Sequence, residues 1–230
     1  MTTIKAPFFE IGPKSYLYGD QILELALAAD KASEKYDVDV IFTCPVVDIR
    51  RVKEATSRIH VFAPHMDPIP IGRGLADTLA ESLVAAGAEG VMLNHVEKPL
   101  SFDVLAATIQ RANEVGLTTI VCADSMADAS KIATLHPDII VAEPSELIGT
   151  GVSVGPEYVA AATASVKNVD ANILVLTAAG IAGGQDVYNT ILAGADATGS
   201  SSGVAKAADR PAMVDEMIAA ARKAWDERHS

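Results

Sequence analysis

The sequence has few basic residues, and this shortage excludes two classes of partner. Its 18 Lys and Arg residues are outnumbered by 30 Asp and Glu, which gives a formal net charge of −12. Binding to nucleic acid or to an anionic membrane needs a basic face that displaces counterions. We therefore expect neither a nucleic acid nor a membrane as a partner.

Cysteines and long apolar runs are also scarce. Cys44 and Cys122 are the only two cysteines, far apart, and each lies in or at the end of an apolar run. This pattern predicts buried free thiols in a reducing compartment, not a disulfide framework or a zinc site. No apolar run approaches the roughly 18 residues of a membrane span, and the N-terminus lacks the pattern of a signal peptide. These features predict a cytoplasmic protein.

Aliphatic residues dominate what is present. Half of the 230 residues are hydrophobic while aromatics make up only 5%, a mix that favours helices packed on a parallel sheet. Short apolar runs alternate with segments of helical period, and no linker interrupts them, so we expect one domain over 1–230. Strands are predicted at 7–11, 38–43, 59–63, 90–94, 117–122, 138–142, 173–176 and 195–198. Helices are predicted at 20–35, 46–55, 75–86, 101–116, 125–135, 157–169, 185–192 and 211–228.

Eight βα units of this kind predict an α/β fold in which the strands close into a (β/α)8 TIM barrel. An open, doubly wound sheet is the alternative. The barrel explains better why polar residues and glycines follow so many of the strands. In a barrel those strand ends converge on one face, where working residues are placed.

The predicted strand ends carry a cation, an imidazole, a carboxylate and two turns of small residues. Lys14 follows the first strand, His95 the fourth and Glu143 the sixth, whereas Gly180 and Ser201-Ser202-Gly203 follow the seventh and eighth. A carboxylate beside a neutral imidazole and an ammonium group can abstract a proton next to a carbonyl and stabilise the resulting enediolate. Small-residue turns can hold a phosphate on backbone amides. Taken singly, Lys14 could be a solvated lysine and Glu143 could simply end a strand.

Several of these motifs together resemble the triosephosphate isomerase family, in particular its shorter archaeal-type branch. The resemblance rests on Asn94-His95-Val96-Glu97, on Ala142-Glu143-Pro144 with the following Ile148-Gly149-Thr150-Gly151, on Ala179-Gly180-Ile181 and on Ser202-Gly203-Val204. It spans nearly the whole chain from Lys14 onwards. The order and spacing of the motifs are more specific than any one of them.

The resemblance implies roles for individual residues. Glu143 would be the base that moves a proton between adjacent carbons, His95 the neutral electrophile and Lys14 the cation that steadies the substrate, an arrangement described for triosephosphate isomerases themselves. Asn94 and Glu97 would support them, and the loop 144–151 would be a lid. The substrate and its phosphate would be bound by Gly12, Asn94, Glu97, Gly149, Gly151, Gly180, Ser201, Ser202 and Gly203.

The resemblance also implies the substrate and the assembly. It predicts isomerisation of dihydroxyacetone phosphate and glyceraldehyde 3-phosphate, with no cofactor and no metal, by a homo-oligomer that is a dimer or a tetramer. The sequence departs from the family at Gly12, where Asn is usual, and at Val96, Ala178 and Ala182. These departures leave open an isomerase of another small ketose phosphate, such as a tetrulose phosphate. A barrel that binds a sugar phosphate without turnover also remains open.

Overall fold

A computed structural model describes residues 2–148 and 150–230. In it, eight parallel strands pair in sequence order, and β8 pairs with β1 to close the barrel. The predicted (β/α)8 fold is therefore confirmed, and the open sheet is wrong. The strands are β1 Phe8–Ile11, β2 Asp39–Thr43, β3 His60–Ala63, β4 Gly90–Leu93, β5 Thr118–Ala123, β6 Ile139–Ala142, β7 Leu174–Thr177 and β8 Ala197–Ser200.

Helices lie between successive strands and around the outside of the barrel. They are α1 Asp20–Tyr36, α2 Ile49–Ala55, α3 Ala80–Ala86, α4 Phe102–Glu114, α5 Met126–Ala133, α6 Pro156–Lys167, α7 Gly184–Leu192, α8 Ser202–Ala205 and α9 Arg210–Arg228. The last of them, α9, packs on α1 and α7 and so brings the C-terminal helix against the N-terminal one. Among the described residues, 2–148 and 150–230, no helix is both long and apolar enough to cross a membrane.

Alternation along each strand separates two apolar layers. On β1, Phe8 belongs to the cluster that fills the barrel, whereas Phe9 and Ile11 belong to the larger cluster between strands and helices. The same period of two places Ile41 inside and Phe42 outside on β2. Because the strands are buried on both sides, most of them are largely apolar, which is why their runs were recognisable; β8, Ala-Thr-Gly-Ser, is the exception. Cys44 and Cys122 are buried and free, as predicted.

Two predicted elements were wrong in their boundaries. The helix predicted at 75–86 begins only at Ala80, because the backbone of Thr78 is bound to Asp67 across the neck of the preceding loop. Leu75 is fully exposed and contributes no helical face. The strand predicted at 195–198 lies two residues later, at Ala197–Ser200, since Gly199 and Ser200 pair with Glu10 and Ile11. The predicted small-residue turn Ser201-Ser202-Gly203 therefore follows this strand directly and is partly helix α8.

A charged cluster lies at the amino end of the barrel, opposite the end discussed below. His60 Nδ1 lies 2.8 Å from Glu89 Oε2, and His60 Nε2 lies 3.9 Å from Asp39 Oδ2. Burial alone would lower the pKa of His60, but the two carboxylates outweigh it and raise that pKa to about 9. Burial likewise acts to raise the pKa of Glu89, yet His60 and Lys53 hold it at about 2. Ion pairs between these ionised side chains therefore stabilise the amino end of the barrel.

Candidate active site

The carboxyl ends of the strands surround a cavity of about 660 Å³. Residues from the ends of all the strands and from the loops that follow them line it. Among the lining residues are Gly12, Lys14, His95, Glu97, Glu143, Gly151, Gly180, Ser201, Ser202 and Gly203. The structure therefore brings together ten of the twelve residues that the sequence predicted for the site.

Lys14 reaches this cavity from the loop after β1. Its backbone adopts a positive φ of 47°, a conformation that is uncommon for a residue other than glycine and that turns the chain sharply away from the strand. The side chain is largely buried, and Nζ lies 3.0 Å from Oε1 of Glu97. The ammonium group lowers the pKa of the Glu97 carboxyl. Lys14 is thereby held in place at the mouth of the barrel.

The hydrogen bonding of His95 determines which of its ring nitrogens carries a proton. The backbone N–H of Glu97 donates to Nδ1 over 3.1 Å, and a backbone amide can only donate. Nδ1 is therefore unprotonated, and the neutral ring carries its proton on Nε2. Burial and the positive charge of Lys14 both lower the pKa of His95, against the opposing charge of Glu97. The site thus holds a neutral imidazole with one N–H to donate.

Glu143 directly follows β6, and its backbone N–H donates to the carbonyl of Ala123 over 3.1 Å. Its carboxylate has no hydrogen-bond partner among residues 2–148 and 150–230, while the side chain lines the cavity. Burial raises the pKa of this carboxyl, and the charge of Lys14 acts in the opposite direction. A carboxylate made more basic by burial and left free to approach a ligand is suited to take a proton.

Asn94 is the predicted site residue whose side chain turns away from the cavity. Its amide donates to the carbonyl of Cys122 over 2.9 Å and accepts from the N–H of Leu100 over 2.9 Å. Its backbone has a positive φ of 59°, which asparagine tolerates better than most residues. These contacts fix the chain reversal after β4, so Asn94 orients the His95 that follows it. Gly149, the other predicted residue not placed in the cavity, lies outside the described residues.

Two turns of small residues also line the cavity. Gly180 has a positive φ of 69°, and a Cβ atom there would lie 1.9 Å from the carbonyl oxygen of Val152, so no larger residue fits. Gly203 is enclosed in a similar way by the carbonyl of Ile181. The hydroxyl of Ser201 is buried without a partner in the described chain. A buried hydroxyl of this kind beside backbone amides is a suitable ligand for an anion.

Sequence reasoning missed three charged residues that line the same cavity, namely Glu10, Lys98 and Lys206. Lys206 follows α8, and its ammonium group lies 5.0 Å from the centre of the Tyr16 ring. Glu10 belongs to β1, where it is buried and receives a hydrogen bond from Thr43. A single carboxylate within the apolar strand Phe8–Ile11 was the signal that could have identified Glu10. Lys206 gave no comparable signal, since lysines near helix ends are common.

Comparisons with known proteins agree with this geometry. A family model described as triosephosphate isomerase matches residues 14–216. The triosephosphate isomerase of Saccharolobus solfataricus is 34% identical over 226 residues, which cover 96% of this chain and 99% of that protein. That of Sulfolobus acidocaldarius is 34% identical over 230 residues, covering 98% and 99%. That of Methanocaldococcus jannaschii is 36% identical over 203 residues, covering 87% and 92%.

Proposed function

This chain belongs to the triosephosphate isomerase family, and on that premise we propose that it interconverts dihydroxyacetone phosphate and glyceraldehyde 3-phosphate. Such an aldose–ketose isomerase moves one proton between adjacent carbons and needs no net oxidant or reductant. The relatives that this chain matches over almost their whole length are named triosephosphate isomerases. The cavity supplies a base, a hydrogen-bond donor and a cation for the same reaction.

In the proposed mechanism Glu143 removes a proton from the carbon next to the substrate carbonyl. The electron pair of the broken C–H bond forms the enediolate, whose oxygens carry the negative charge. The Nε2–H of His95 and the ammonium group of Lys14 stabilise that charge. The hydroxyl proton passes from one enediolate oxygen to the other, the carboxyl of Glu143 returns its proton to the neighbouring carbon, and the isomeric product forms with the enzyme back in its starting state.

The turns of small residues are proposed to hold the phosphate group. Gly180, Ser201, Ser202 and Gly203 offer backbone amides and two hydroxyls to the cavity, and Gly12 and Gly151 line it as well. Gly149 is proposed to contribute with Gly151, as the sequence predicts. Closure of the loop 144–151 over the phosphate would exclude water and protect the enediolate.

One observation carries the proposal more than the others. His95 is a neutral donor fixed by a backbone amide, and it lines the same cavity as Glu143 and Lys14. A protonated histidine would be a stronger acid but would lose the acceptor that Glu97 N–H requires. The Nε2–H of His95 can therefore polarise a substrate oxygen by a hydrogen bond while the imidazole ring itself stays uncharged.

A coupled assay of triose phosphate interconversion tests the proposal. We expect measurable turnover by the purified protein and a fall in kcat of about 1,000-fold in Glu143→Gln, because the base is removed while the shape is kept. Glu146→Gln, an exposed carboxylate in the same loop, is the matched control and should retain wild-type activity. Wild-type turnover in Glu143→Gln would disprove the assigned base.

The alternative activities are less well supported. An isomerase of a tetrulose phosphate was suggested by Gly12, Ala178 and Ala182, all of which line the cavity. The relatives, however, are named triosephosphate isomerases, which favours the three-carbon substrate over both a tetrulose phosphate and a barrel without turnover. Initial rates on a panel of three- to five-carbon sugar phosphates would separate the three possibilities.

The assembly and the cellular location belong to the same proposal. We propose a single-domain chain that forms a homo-oligomer in the cytoplasm. Ile71 and Leu75, two large apolar side chains on the loop after β3, are exposed and could be covered by a second copy. The free thiols of Cys44 and Cys122 are consistent with a reducing compartment. Light scattering of the purified protein would give the oligomeric state.

A further inference from the structure

Glu10 occupies an unusual place for a carboxyl group. It follows Phe8 on the inward-facing side of β1, so it lies at the top of the apolar filling of the barrel, and it is only 8% exposed. Among residues 2–148 and 150–230 it is the one buried residue that bears a carboxyl group. Burying such a group costs free energy unless it has partners, so its presence calls for an explanation.

Two glycines make room for this side chain. A Cβ atom on Gly199 of β8 would lie 2.9 Å from the Cβ and 3.0 Å from Oε2 of Glu10. A Cβ atom on Gly12 would lie 3.1 Å from Oε1 of the same carboxyl group. The Glu10 carboxyl therefore fills the volume into which a side chain at residue 12 would extend, at the floor of the active-site cavity.

The two carboxyl oxygens of Glu10 have different surroundings. Oε1 accepts a short hydrogen bond from the hydroxyl of Thr43, which fixes the orientation of the group. Oε2 has no partner in the described chain, and it is not among the fully buried polar atoms that lack one. The remaining exposure of Glu10 is toward the cavity that it lines together with Lys14 and Glu143.

We propose that Glu10 is a substrate-contacting residue whose free oxygen, Oε2, forms a hydrogen bond with an oxygen atom of the sugar phosphate at the floor of the cavity. Thr43 orients the group, while Gly12 and Gly199 give it space. The inference rests on the proposed isomerase function and adds one residue to its substrate site.

The charges around Glu10 determine the form in which it acts. The titratable groups that face it are Lys14 after β1, Cys122 on β5 and Glu143 after β6, while the adjoining strands β2 and β8 present Thr43 and Gly199. Burial raises its pKa to about 7 against the hydrogen bond from Thr43, and the charge of Glu143 acts in the same direction as burial. In its neutral form the group accepts from Thr43 at Oε1 and donates from Oε2. Ionisation removes that donor and places a negative charge beside an anionic substrate.

Two substitutions separate this role from a purely structural one. Glu10→Met keeps the bulk and removes both hydrogen bonds, so we expect the KM for dihydroxyacetone phosphate to rise about 5- to 10-fold with little change in kcat. Glu10→Gln keeps an acceptor for Thr43 and a donor for the substrate but cannot ionise. We expect the KM of the wild type to rise several-fold between about pH 6.5 and 8.5, and Glu10→Gln to show no such rise.

Thr198→Val is the matched control, because Thr198 is a buried strand residue that donates to the carbonyl of Thr177 and does not line the cavity. Its KM should match that of the wild type. A KM that is indifferent to Glu10→Met, together with identical pH dependence in the wild type and Glu10→Gln, would overturn the assignment. If Glu10→Met does not fold, the pH dependence of KM in the wild type and in Glu10→Gln still tests the assignment.

Calorimetric binding of dihydroxyacetone phosphate to Glu143→Gln, with and without Glu10→Met, keeps this proposal distinct from the proposed reaction. Weaker binding in the double variant supports the contact even if the wild type shows no turnover, a result that would overturn the isomerase activity alone. Full turnover by the wild type with equal binding by both variants would overturn the role of Glu10 alone.

Discussion

The ammonium group of Lys14 lies 3.0 Å from the carboxylate of Glu97 and joins the loop after β1 to the loop after β4. The pair spans the mouth of the barrel, and the same residue Glu97 donates its backbone N–H to His95. One short segment thus positions both the cation and the imidazole of the site.

Removing the charge of Glu97 tests that coupling. We expect Glu97→Gln to lower kcat/KM about tenfold, because Lys14 loses its fixed position while the backbone bond to His95 is retained. The free energy of unfolding should change by less than about 1 kcal/mol, since the carboxylate is largely exposed and such pairs contribute little. Asp20→Asn breaks the exposed Arg51–Asp20 pair, neither member of which lines the cavity, and serves as the control, with unchanged kcat/KM.

The protonation states of two histidines should differ at neutral pH. His95 has a lowered pKa and an unprotonated Nδ1, whereas the pKa of His60 is raised to about 9. Among the signals of the five histidines, we expect ¹⁵N NMR of ring-labelled protein at about pH 7 to show His95 as a neutral ring with its proton on Nε2 and His60 as a doubly protonated ring. Variants His95→Gln and His60→Gln assign the two signals. A doubly protonated His95 would contradict its proposed role as a neutral donor.

The charged cluster at the amino end predicts how stability depends on pH. Because the pKa of His60 is higher in the folded than in the unfolded protein, its contribution is fully present below about pH 6.5 and is lost as the pH rises through about 9. The lowered pKa of Glu89 has the opposite sign, so its contribution is present above about pH 4.5 and is lost as the pH falls towards 2.

Urea unfolding of the wild type and His60→Gln across this range measures the effect. We expect a difference of about 3 kcal/mol near pH 6 that shrinks above pH 9. His136→Gln is the control, because His136 pairs with Asp170 at an exposed position. A constant difference between wild type and His60→Gln at all pH values would contradict the assigned coupling.

Asn94 is expected to act through structure. Asn94→Ala leaves the carbonyl of Cys122 and the N–H of Leu100 without their partner and places alanine at a positive φ. We expect a loss of about 2–3 kcal/mol in the free energy of unfolding and a lower kcat, with KM unchanged. A raised KM with unchanged stability would instead support the substrate contact that the sequence predicts for this residue.

The sequence predicted the barrel because its strands are buried on both faces. Most of these apolar runs are short, continuous and bounded by a turn, so the pattern can be recognised from residues that are close in sequence. The chain around 195–200 is the exception, since a strand containing Gly199 and Ser200 has little apolar character. Its pairing with Glu10 and Ile11 comes from closure of the barrel, which local patterns do not contain.

The candidate site was predictable to the extent that its residues follow strands. Lys14, His95 and Glu143 all do, and parallel strands present their carboxyl ends on one face. The orientation of a side chain at such an end was not predictable. Asn94 and His95 are adjacent, yet the positive φ of Asn94 directs one toward the backbone and the other into the cavity. Glu10 was missed because it lies within a strand and depends for space on the distant Gly199 as well as on the nearby Gly12.

The separation between the two ends of the barrel has a consequence for engineering. Four-residue strands such as β1 keep the ion cluster around His60 and the cavity around His95 roughly 13 Å apart. At that distance the energetic effects of substitutions are close to additive. The loops around the cavity can then be substituted one at a time to bind a new ligand. The ion cluster at the opposite end would keep its contribution to the free energy of unfolding.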